Sequence, residues 1–214
     1  MQIDSESKII YVHIPRTGGS WFSFAWNSNR NVGDILQKAN CLWNKLNDKK
    51  TLCGRHGTLS GILEKIKKIE YDVSDFKIVT TVREPVDRAV SSWVWFSKVK
   101  LTAKKHGWKT IDDMLDEYES GTVRSNYMPQ VFWLEEKNAK FDYVYRFEDL
   151  LQGSKIVNKD FPLFNRGYKN KNRLRRGRDT VVERKKLNSK QIQRIKDIYK
   201  EDVRYLDTLE KNLK

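Results

Sequence analysis

The stretch KIIYVHIPRTGGSW, residues 8–21, contains the strongest fold signal of the chain. Its first half, Lys8 to Ile14, is rich in β-branched and aromatic residues and stops at a proline, which predicts a buried strand. Two adjacent glycines follow, and they allow a tight turn and a close approach of the backbone to a ligand. The apolar residues after Ser20 predict a helix. Strand, glycine loop and helix in this order are typical of an α/β fold.

The same order returns later in the chain. Residues 75–82, DFKIVTTV, predict a second strand, and the following REP ends it before a helix that starts near Val86. Within REP, Glu84 is interpreted as the cap of that helix, with a substrate contact as the alternative. Residues 141–145 predict a short third strand. Strands that alternate with helices predict one α/β domain over residues 1–214, with a central, mostly parallel sheet.

Further helices are predicted from hydrophobic spacing and capping residues. Thr110, followed three residues later by Asp113, is a weak capping signature for a helix over residues 110–118. Ser189 is the predicted N-cap of a single helix that runs to Leu209. The other predicted helices cover residues 34–47, 62–69 and 126–136.

Composition narrows the class of protein. The chain has 214 residues, a formal net charge of +14, seven Trp, nine Tyr and nine Phe, which favours a globular domain and excludes global disorder. The charge favours polyanionic partners but does not choose among them. Cys41 and Cys53 are interpreted as free thiols. The N-terminal MQIDSESK has no apolar signal core, and no window approaches the roughly 18 uninterrupted apolar residues of a membrane span. We therefore expect a cytoplasmic protein, or a trimmed catalytic domain whose anchor is missing.

The loop HIPRTGGSW has the chemistry of a phosphate site. Backbone N–H groups between a strand and a helix N-terminus converge on an anion, Arg16 adds a charged fork, and Thr17 and Ser20 add hydroxyls. The loop lacks the GxxxxGK[ST] pattern of an ordinary ATPase. Taken alone, TGGS is equally consistent with a simple tight turn.

A second motif, TVREPVDRAVSSW at residues 81–93, strengthens the phosphate interpretation. Arg83 stands at the strand end and Ser91 two turns into the next helix, so both could reach one phosphate. Arg88 is a candidate for either phosphate, or a helix-surface residue that is solvated or paired with Asp87.

The two motifs together resemble those of sulfotransferases, especially the carbohydrate sulfotransferases of the uronosyl 2-O type with HIPKTGG and RDPVxRxxS signatures. YVYRFEDL at residues 143–150 is similar to the third-strand motif of that family, and LNSKQIQRIKDIYKEDVRYL to its C-terminal helix. The resemblance implies a P-loop NTPase-like, three-layer α/β/α fold. It also implies the sulfuryl donor PAPS (3′-phosphoadenosine 5′-phosphosulfate), with adenosine 3′,5′-bisphosphate as product.

The resemblance further implies which residues bind the donor. The 3′ phosphate would be bound by Arg83 and Ser91. The 5′ phosphosulfate would be bound by the loop residues Arg16, Thr17, Gly18, Gly19, Ser20 and Trp21. Arg16 replaces the lysine usual in the family; it keeps the positive charge but does not readily give up a proton. We therefore expect Arg16 to stabilise the leaving phosphate electrostatically, without donating a proton.

Sulfuryl transfer also needs a base for the acceptor hydroxyl. His56, in CGRHGTLSG, lies where the 2-O type carries its catalytic histidine, so we expect it to be the base; the alternative is a histidine that only bonds the loop backbone. His13 is expected to orient the phosphate loop, and His106 to lie in a surface loop.

Two later segments are assigned by position. The resemblance implies that the basic run 169–186 is a loop that closes over the adenosine and its 3′ phosphate, unless it is only a solvated basic loop. The candidates in it are Arg173, Arg175, Arg176 and Arg178, of which Arg173 and Arg176 are assigned to the cofactor. In residues 124–136, Asn126 and Gln130 are expected to point into the acceptor cleft. Trp133 and Leu134 are expected in the core.

The sequence thus predicts an enzyme that transfers a sulfuryl group from PAPS to a hydroxyl-bearing acceptor, a glycan or another small molecule, without a metal and without a specific nucleic acid. The alternatives are a nucleic-acid or polyanion-binding module, a kinase, and a pseudoenzyme in which Arg16 keeps nucleotide binding but catalytic turnover is lost. The kinase would need a Mg²⁺-binding carboxylate, for which Asp142 is the candidate. The oligomeric state is left open.

Overall fold

The computed structural model describes residues 2–4, 8–19, 58–68, 70, 72–98, 107–121, 128–134, 141–151 and 171–212. The helices predicted after Ser20 and over residues 34–47 lie outside these residues.

The described elements are four strands interleaved with helices, followed by further helices. Their bounds are β1 (Gln2–Asp4), β2 (Ile9–Val12), α1 (Leu59–Lys68), β3 (Lys77–Val82), α2 (Pro85–Lys98), α3 (Ile111–Glu119), α4 (Val131–Leu134), β4 (Tyr143–Arg146), α5 (Phe147–Leu151), α6 (Lys171–Lys186), α7 (Ser189–Ile198) and α8 (Lys200–Asn212). The three strands predicted from sequence are confirmed as β2, β3 and β4. Two compact units result, one from Met1–Val82 and Phe132–Tyr168, the other from Arg83–Val131 and Lys169–Lys214.

The first unit contains a sheet in which the described strands follow the order β1-β2-β3-β4. Strand β2 pairs in parallel with β3, with Tyr11 opposite Val79, and β3 pairs in parallel with β4, with Val79 opposite Tyr143. Only the edge strand β1 is antiparallel among these described strands. The predicted α/β, P-loop-like fold with a mostly parallel sheet is therefore confirmed.

One face of this sheet is covered by α1. The helix turns Leu59, Ile62 and Ile66, spaced three and four residues apart, toward Ile10 and Val12 of β2. All five side chains are buried. Because side chains alternate along a strand, Tyr11 faces the opposite side of the sheet from Ile10 and Val12.

The second unit has its own core around α2. Val86, Ala89, Val90 and Val94 form one stripe of α2, and this stripe packs in one hydrophobic cluster with residues of α3 and α7. The cluster is completed by Phe96, Trp108, Ile111, Met114, Leu115, Ile195 and Tyr199. Burial of each such large apolar side chain stabilises the fold by about 1.5–3 kcal/mol.

The capping predictions for this unit are confirmed in one case and wrong in the other. Thr110 caps α3, and Asp113 closes the capping box by accepting from the Thr110 N–H at 2.7 Å. The N-cap of α7 is Asn188 and not Ser189, because the Asn188 side chain accepts from the Gln191 N–H at 2.8 Å. The single helix predicted over residues 189–209 is in fact two, α7 and α8, which are separated at Tyr199.

The basic run is also different from its prediction. Residues 171–186 form the helix α6 and not a loop. Arginine, lysine and glutamate are good helix formers, and the basic residues of the last turn, among them Arg184, favour the negative end of the helix dipole. Helix α6 packs against α2, and Thr180 is buried there while Val181 and Val182 remain exposed.

No described helix is both long enough and apolar enough to cross a membrane.

Candidate functional site

The glycine loop follows β2 directly and has an unusual backbone. Arg16 has a φ of +68° and Gly18 a φ of +91°. The left-handed region is strained for an arginine and permissive for a glycine, and such strain persists only where the surrounding structure imposes it. The loop is therefore held in one defined turn, in which Arg16 is partly exposed.

Both loop glycines are required by close packing. A Cβ on Gly18 would collide with the ring of Phe147, and a Cβ on Gly19 would collide with the ring of His13. His13 is 5% exposed, so its ring has little room to move away. The prediction that His13 orients the loop agrees with this contact.

Three hydroxyls lie in a chain beneath the loop. Thr17 Oγ1 donates to the Ile14 carbonyl at 2.9 Å, and it lies 3.0 Å from Thr81 Oγ1, which in turn lies 2.6 Å from the Tyr11 hydroxyl. Since Thr17 gives its single proton to Ile14, Thr81 must donate to Thr17, and Tyr11 must donate to Thr81. All three side chains are buried, and burial raises the pKa of Tyr11 above its ordinary value.

These hydrogen-bonded hydroxyls change the expected role of Thr17. Its hydroxyl was predicted to contact an anion, but Thr17 is 0% exposed and the hydroxyl bonds within the sheet and loop. What Thr17 can offer an anion is its backbone. The hydroxyl instead ties the loop to β2 and β3.

Arg83 of the second motif is 8% exposed, and Gln130 fixes its backbone. The Arg83 N–H donates to Gln130 Oε1 at 2.8 Å, and Gln130 Nε2 donates to the Arg83 carbonyl at 2.8 Å. Gln130 was predicted to point into an acceptor cleft. That prediction is wrong, because Gln130 is 1% exposed and its amide makes the two bonds that a neighbouring strand would make. Asn126, Gln130's predicted companion, lies outside the described residues.

Gln130 is itself held by a buried carboxylate. Asp202 of α8 accepts from Gln130 Nε2 at 3.3 Å and from the Val131 N–H at 3.0 Å. Arg88 Nη1 lies 3.8 Å from the same carboxylate, and Arg88 Nη2 donates to the Met128 carbonyl at 2.9 Å. These residues form the Arg88–Gln130–Asp202 network.

The interpretation of Arg88 as a helix-surface residue is wrong. Arg88 is 2% exposed, so it is not a helix-surface residue, and its carboxylate partner in the structure is Asp202, not Asp87. Its guanidinium lies 5.7 Å from the ring centre of Tyr199. Burial raises the pKa of Tyr199 to about 12, although the Arg88 charge acts in the opposite direction.

The start of α2 is capped as predicted. Glu84 Oε2 accepts from the Asp87 N–H at 2.8 Å, and Pro85 occupies the first helical position, where no N–H is needed. Arg184 of α6 bridges Glu84 at 3.0 Å and Asp87 at 3.1 Å. Ser91, six residues into α2, is 4% exposed.

Several predicted site residues are not covered by the structure. Ser20, Trp21 and His56 lie outside the described residues, and the side chains of Arg173 and Arg176 do as well. The predictions for these five residues stay predictions. Trp133 and Leu134 are buried, as expected of core residues.

Asp142 has a structural role that does not suit metal binding. Its Oδ2 accepts from the Ile78 N–H at 2.8 Å, and Lys77 donates to its Oδ1 at 3.3 Å. Asp142 precedes the amino end of β4, whereas ligands of open α/β sheets bind beyond the carboxyl ends of the strands. The kinase alternative therefore loses its candidate carboxylate.

A parallel α/β sheet whose second strand ends in a tightly packed glycine loop places the chain in the P-loop-like class. The chain matches the model of the Sulfotransferase family over residues 1–207 and belongs to that family. A crystal structure of mouse sulfotransferase SULT7A1 complexed with PAP is 19% identical, with a TM-score of 0.48 over 88% of this chain and 69% of that chain. No curated protein matches the sequence.

Proposed function

We propose that this protein transfers a sulfuryl group from PAPS to a hydroxyl of a carbohydrate acceptor and releases adenosine 3′,5′-bisphosphate. Membership of the sulfotransferase family supports the reaction class. The observation that carries the proposal is the loop after β2, where neither Gly18 nor Gly19 has room for a Cβ. Such a loop lets backbone N–H groups approach the 5′ phosphosulfate closely.

The 3′ phosphate is assigned to the second motif. Arg83 directly follows β3 in the chain, and Ser91 lies on α2. A guanidinium can only donate hydrogen bonds, and a hydroxyl can either donate or accept one. Both groups can therefore donate to phosphate oxygens. Contacts with the adenosine are assigned to Arg173 and Arg176 of α6.

The reaction itself is a displacement at sulfur. The acceptor oxygen forms a bond to sulfur as the bond between sulfur and the bridging oxygen of the 5′ phosphate breaks, and the acceptor proton passes to His56. Arg16 stabilises the negative charge that develops on the leaving phosphate. Trp21 and Ser20 complete the loop, and Thr17 contributes its backbone.

An acidic glycan is the acceptor that fits the charge of the chain best. The formal net charge is +14, and the loop motif resembles that of the uronosyl 2-O type, which supports a carbohydrate. Positive charge also raises the rate at which an anionic acceptor is encountered.

The donor assignment is tested by calorimetric titration of adenosine 3′,5′-bisphosphate, with AMP and ATP as controls. We expect the 3′,5′-bisphosphate to bind tightest, and Arg83→Ala to weaken it by about 10–100-fold, the value of a charge-assisted bond. Arg204→Ala is the matched control, because Arg204 is 71% exposed and pairs with Glu201. Equal, weak, salt-sensitive binding of all three nucleotides would reject the donor site and favour a polyanion-binding module.

The chemistry is tested by transfer of labelled sulfate from PAPS to a panel of glycans. We expect His56→Ala to abolish transfer while nucleotide binding persists, and His106→Ala to retain it. Arg16→Lys tests whether the natural protein is an active enzyme or a pseudoenzyme. If the parent binds the 3′,5′-bisphosphate but only the Arg16→Lys variant transfers sulfate, the natural protein is a nucleotide-binding pseudoenzyme.

A further inference from the structure

We propose that Gln130 is a positioning residue for the 3′-phosphate site, because it fixes the backbone of Arg83. This inference rests on the proposed function. The observation behind it is that the Gln130 amide bonds both the N–H and the carbonyl of Arg83, each at 2.8 Å. No other side chain type except asparagine can both accept and donate in this fixed way.

The orientation of the Gln130 amide is determined by its surroundings. Asp202 accepts from Nε2 at 3.3 Å, so Nε2 must face both the Asp202 carboxylate and the Arg83 carbonyl. The reverse orientation would place Oε1 against these two acceptors and leave the Arg83 N–H facing a second donor. Asp202 therefore selects the orientation in which Gln130 can bond both groups of Arg83.

Asp202 is in turn held from two other places in the chain. The Val131 N–H donates to its Oδ1 at 3.0 Å, and the Arg88 guanidinium balances its charge from α2. The Asp202 side chain is 0% exposed and that of Arg88 is 2% exposed, so water does not compete for these bonds. The Arg88–Gln130–Asp202 network is thus a rigid support that ends at the Arg83 backbone.

The consequence concerns the donor's 3′ phosphate. Bonds to both the N–H and the carbonyl of Arg83 restrict the two backbone torsions of that residue, and these torsions set the direction of its Cα–Cβ bond. A guanidinium that starts from a fixed Cβ loses less entropy when it binds phosphate. Gln130 thereby contributes to selectivity for a 3′ phosphate without touching it.

The test compares nucleotide selectivity in Gln130 variants. The readout is the ratio of the Kd for AMP to the Kd for adenosine 3′,5′-bisphosphate, measured by calorimetry on the full chain. Gln130→Leu and Gln130→Met both remove the two bonds to Arg83, and methionine keeps the unbranched length of glutamine. We expect the ratio to fall by about tenfold in both variants, which is the loss of roughly one hydrogen bond to a charged group.

A matched control separates positioning from a general loss of stability. Met114 is 0% exposed in the core of the same unit and is not part of the network, so Met114→Ala destabilises the fold without altering Arg83. We expect its selectivity ratio to equal that of the parent. Hydrogen–deuterium exchange at the Arg83 amide gives a second readout, with faster exchange in Gln130→Leu than in Met114→Ala.

The outcomes are distinguishable. If the parent protein shows no preference for the 3′ phosphate, the proposed function fails, and this inference fails with it. If the parent shows the preference and both Gln130 variants keep it, only the positioning role is overturned. If Gln130→Leu does not fold, Gln130→Met decides alone, and an unchanged ratio in that variant overturns the role.

Discussion

The loop after β2 and the start of α2 are both predicted to bind phosphate, yet they are built by opposite means. The loop is shaped by the absence of side chains at Gly18 and Gly19 and by a chain of neutral hydroxyls below Thr17. The start of α2 is shaped by buried charges, because Arg88 and Asp202 hold the amide that fixes Arg83. The first region is therefore sensitive to substitutions that add atoms, and the second is sensitive to substitutions that remove one partner of a buried charge.

This difference has a physical origin. Neutral hydroxyls can be buried at small cost when each has a partner, whereas a buried charge that loses its partner is strongly unfavourable. Substitutions in the two regions are expected to differ in size for that reason, and the following predictions are ordered by their expected effect.

The largest effect is expected for Asp202→Ala. The change leaves the Arg88 guanidinium buried without its carboxylate and removes bonds to Gln130 and Val131. We expect the free energy of unfolding, measured by urea denaturation, to fall by about 3–5 kcal/mol. Asp207→Ala is the control, since Asp207 is exposed on the same helix. A similar small effect for both variants would contradict the role assigned to the network.

Gly18→Ala tests the steric construction of the loop. Gly18 and Gly121 both have positive φ, +91° and +79°, but a Cβ on Gly121 would meet open space and one on Gly18 would meet Phe147. The backbone strain is therefore common to both variants, and only Gly18→Ala adds overpacking. We expect it to destabilise the fold by about 1–3 kcal/mol more than Gly121→Ala does. Equal destabilisation would show that Phe147 moves aside freely.

The two buried tyrosines allow a comparison at high pH. Burial raises the pKa of Tyr11 above 10.0, and it raises the pKa of Tyr199 to about 12. Above pH 10 the unfolded chain loses these protons while the folded chain keeps them. The free energy of unfolding therefore keeps its full value below pH 10 and falls as the pH rises further. We expect Tyr11→Phe and Tyr199→Phe each to reduce the slope of this fall by at most about 1.4 kcal/mol per pH unit.

The measurement is the free energy of unfolding at intervals from pH 7 to pH 11. Between pH 7 and pH 9 each variant should run parallel to the parent, and Tyr11→Phe should lie about 1 kcal/mol lower because its bond to Thr81 is lost. Slopes above pH 10 that match the parent in both variants would contradict the burial effect.

The smallest effect is expected for Arg184→Ala. Arg184 bridges Glu84 and Asp87 at the start of α2, but its side chain is 34% exposed, so solvent screens the ion pairs. We expect a loss of less than about 1 kcal/mol, and a smaller loss in high salt. A loss as large as that of Asp202→Ala would mean that α6 contributes to the network beyond these ion pairs.

Prediction from sequence succeeded where the signal was local. The strands around Ile10 and Val79, the cap at Thr110 and the cap at Glu84 depend on residues within a few positions of one another. It failed at Arg88 and Gln130. Their partner Asp202 lies 114 and 72 residues further along the chain, and nothing in the sequence pairs them.

The basic run shows a second kind of failure. Its many charges favoured a loop, but arginine and lysine are also good helix formers, and α6 has a face to pack on α2. Charge alone did not distinguish the two conformations, and the contact with α2 adds a reason for a helix there. The N-cap at Asn188 was missed by one position, within the ordinary uncertainty of helix bounds.

The sequence by itself determined the α/β class, the glycine loop and the family, since strand propensity, glycine freedom and motif spacing are written in consecutive residues. Tertiary structure decided which of the predicted polar site groups bond to the protein itself. It joined the Thr17 hydroxyl to Thr81, buried Arg88 against Asp202 and committed Gln130 to the backbone of Arg83. Each of these outcomes depends on burial and on a partner that is distant in the chain. The residues adjacent in sequence encode neither the burial nor the partner.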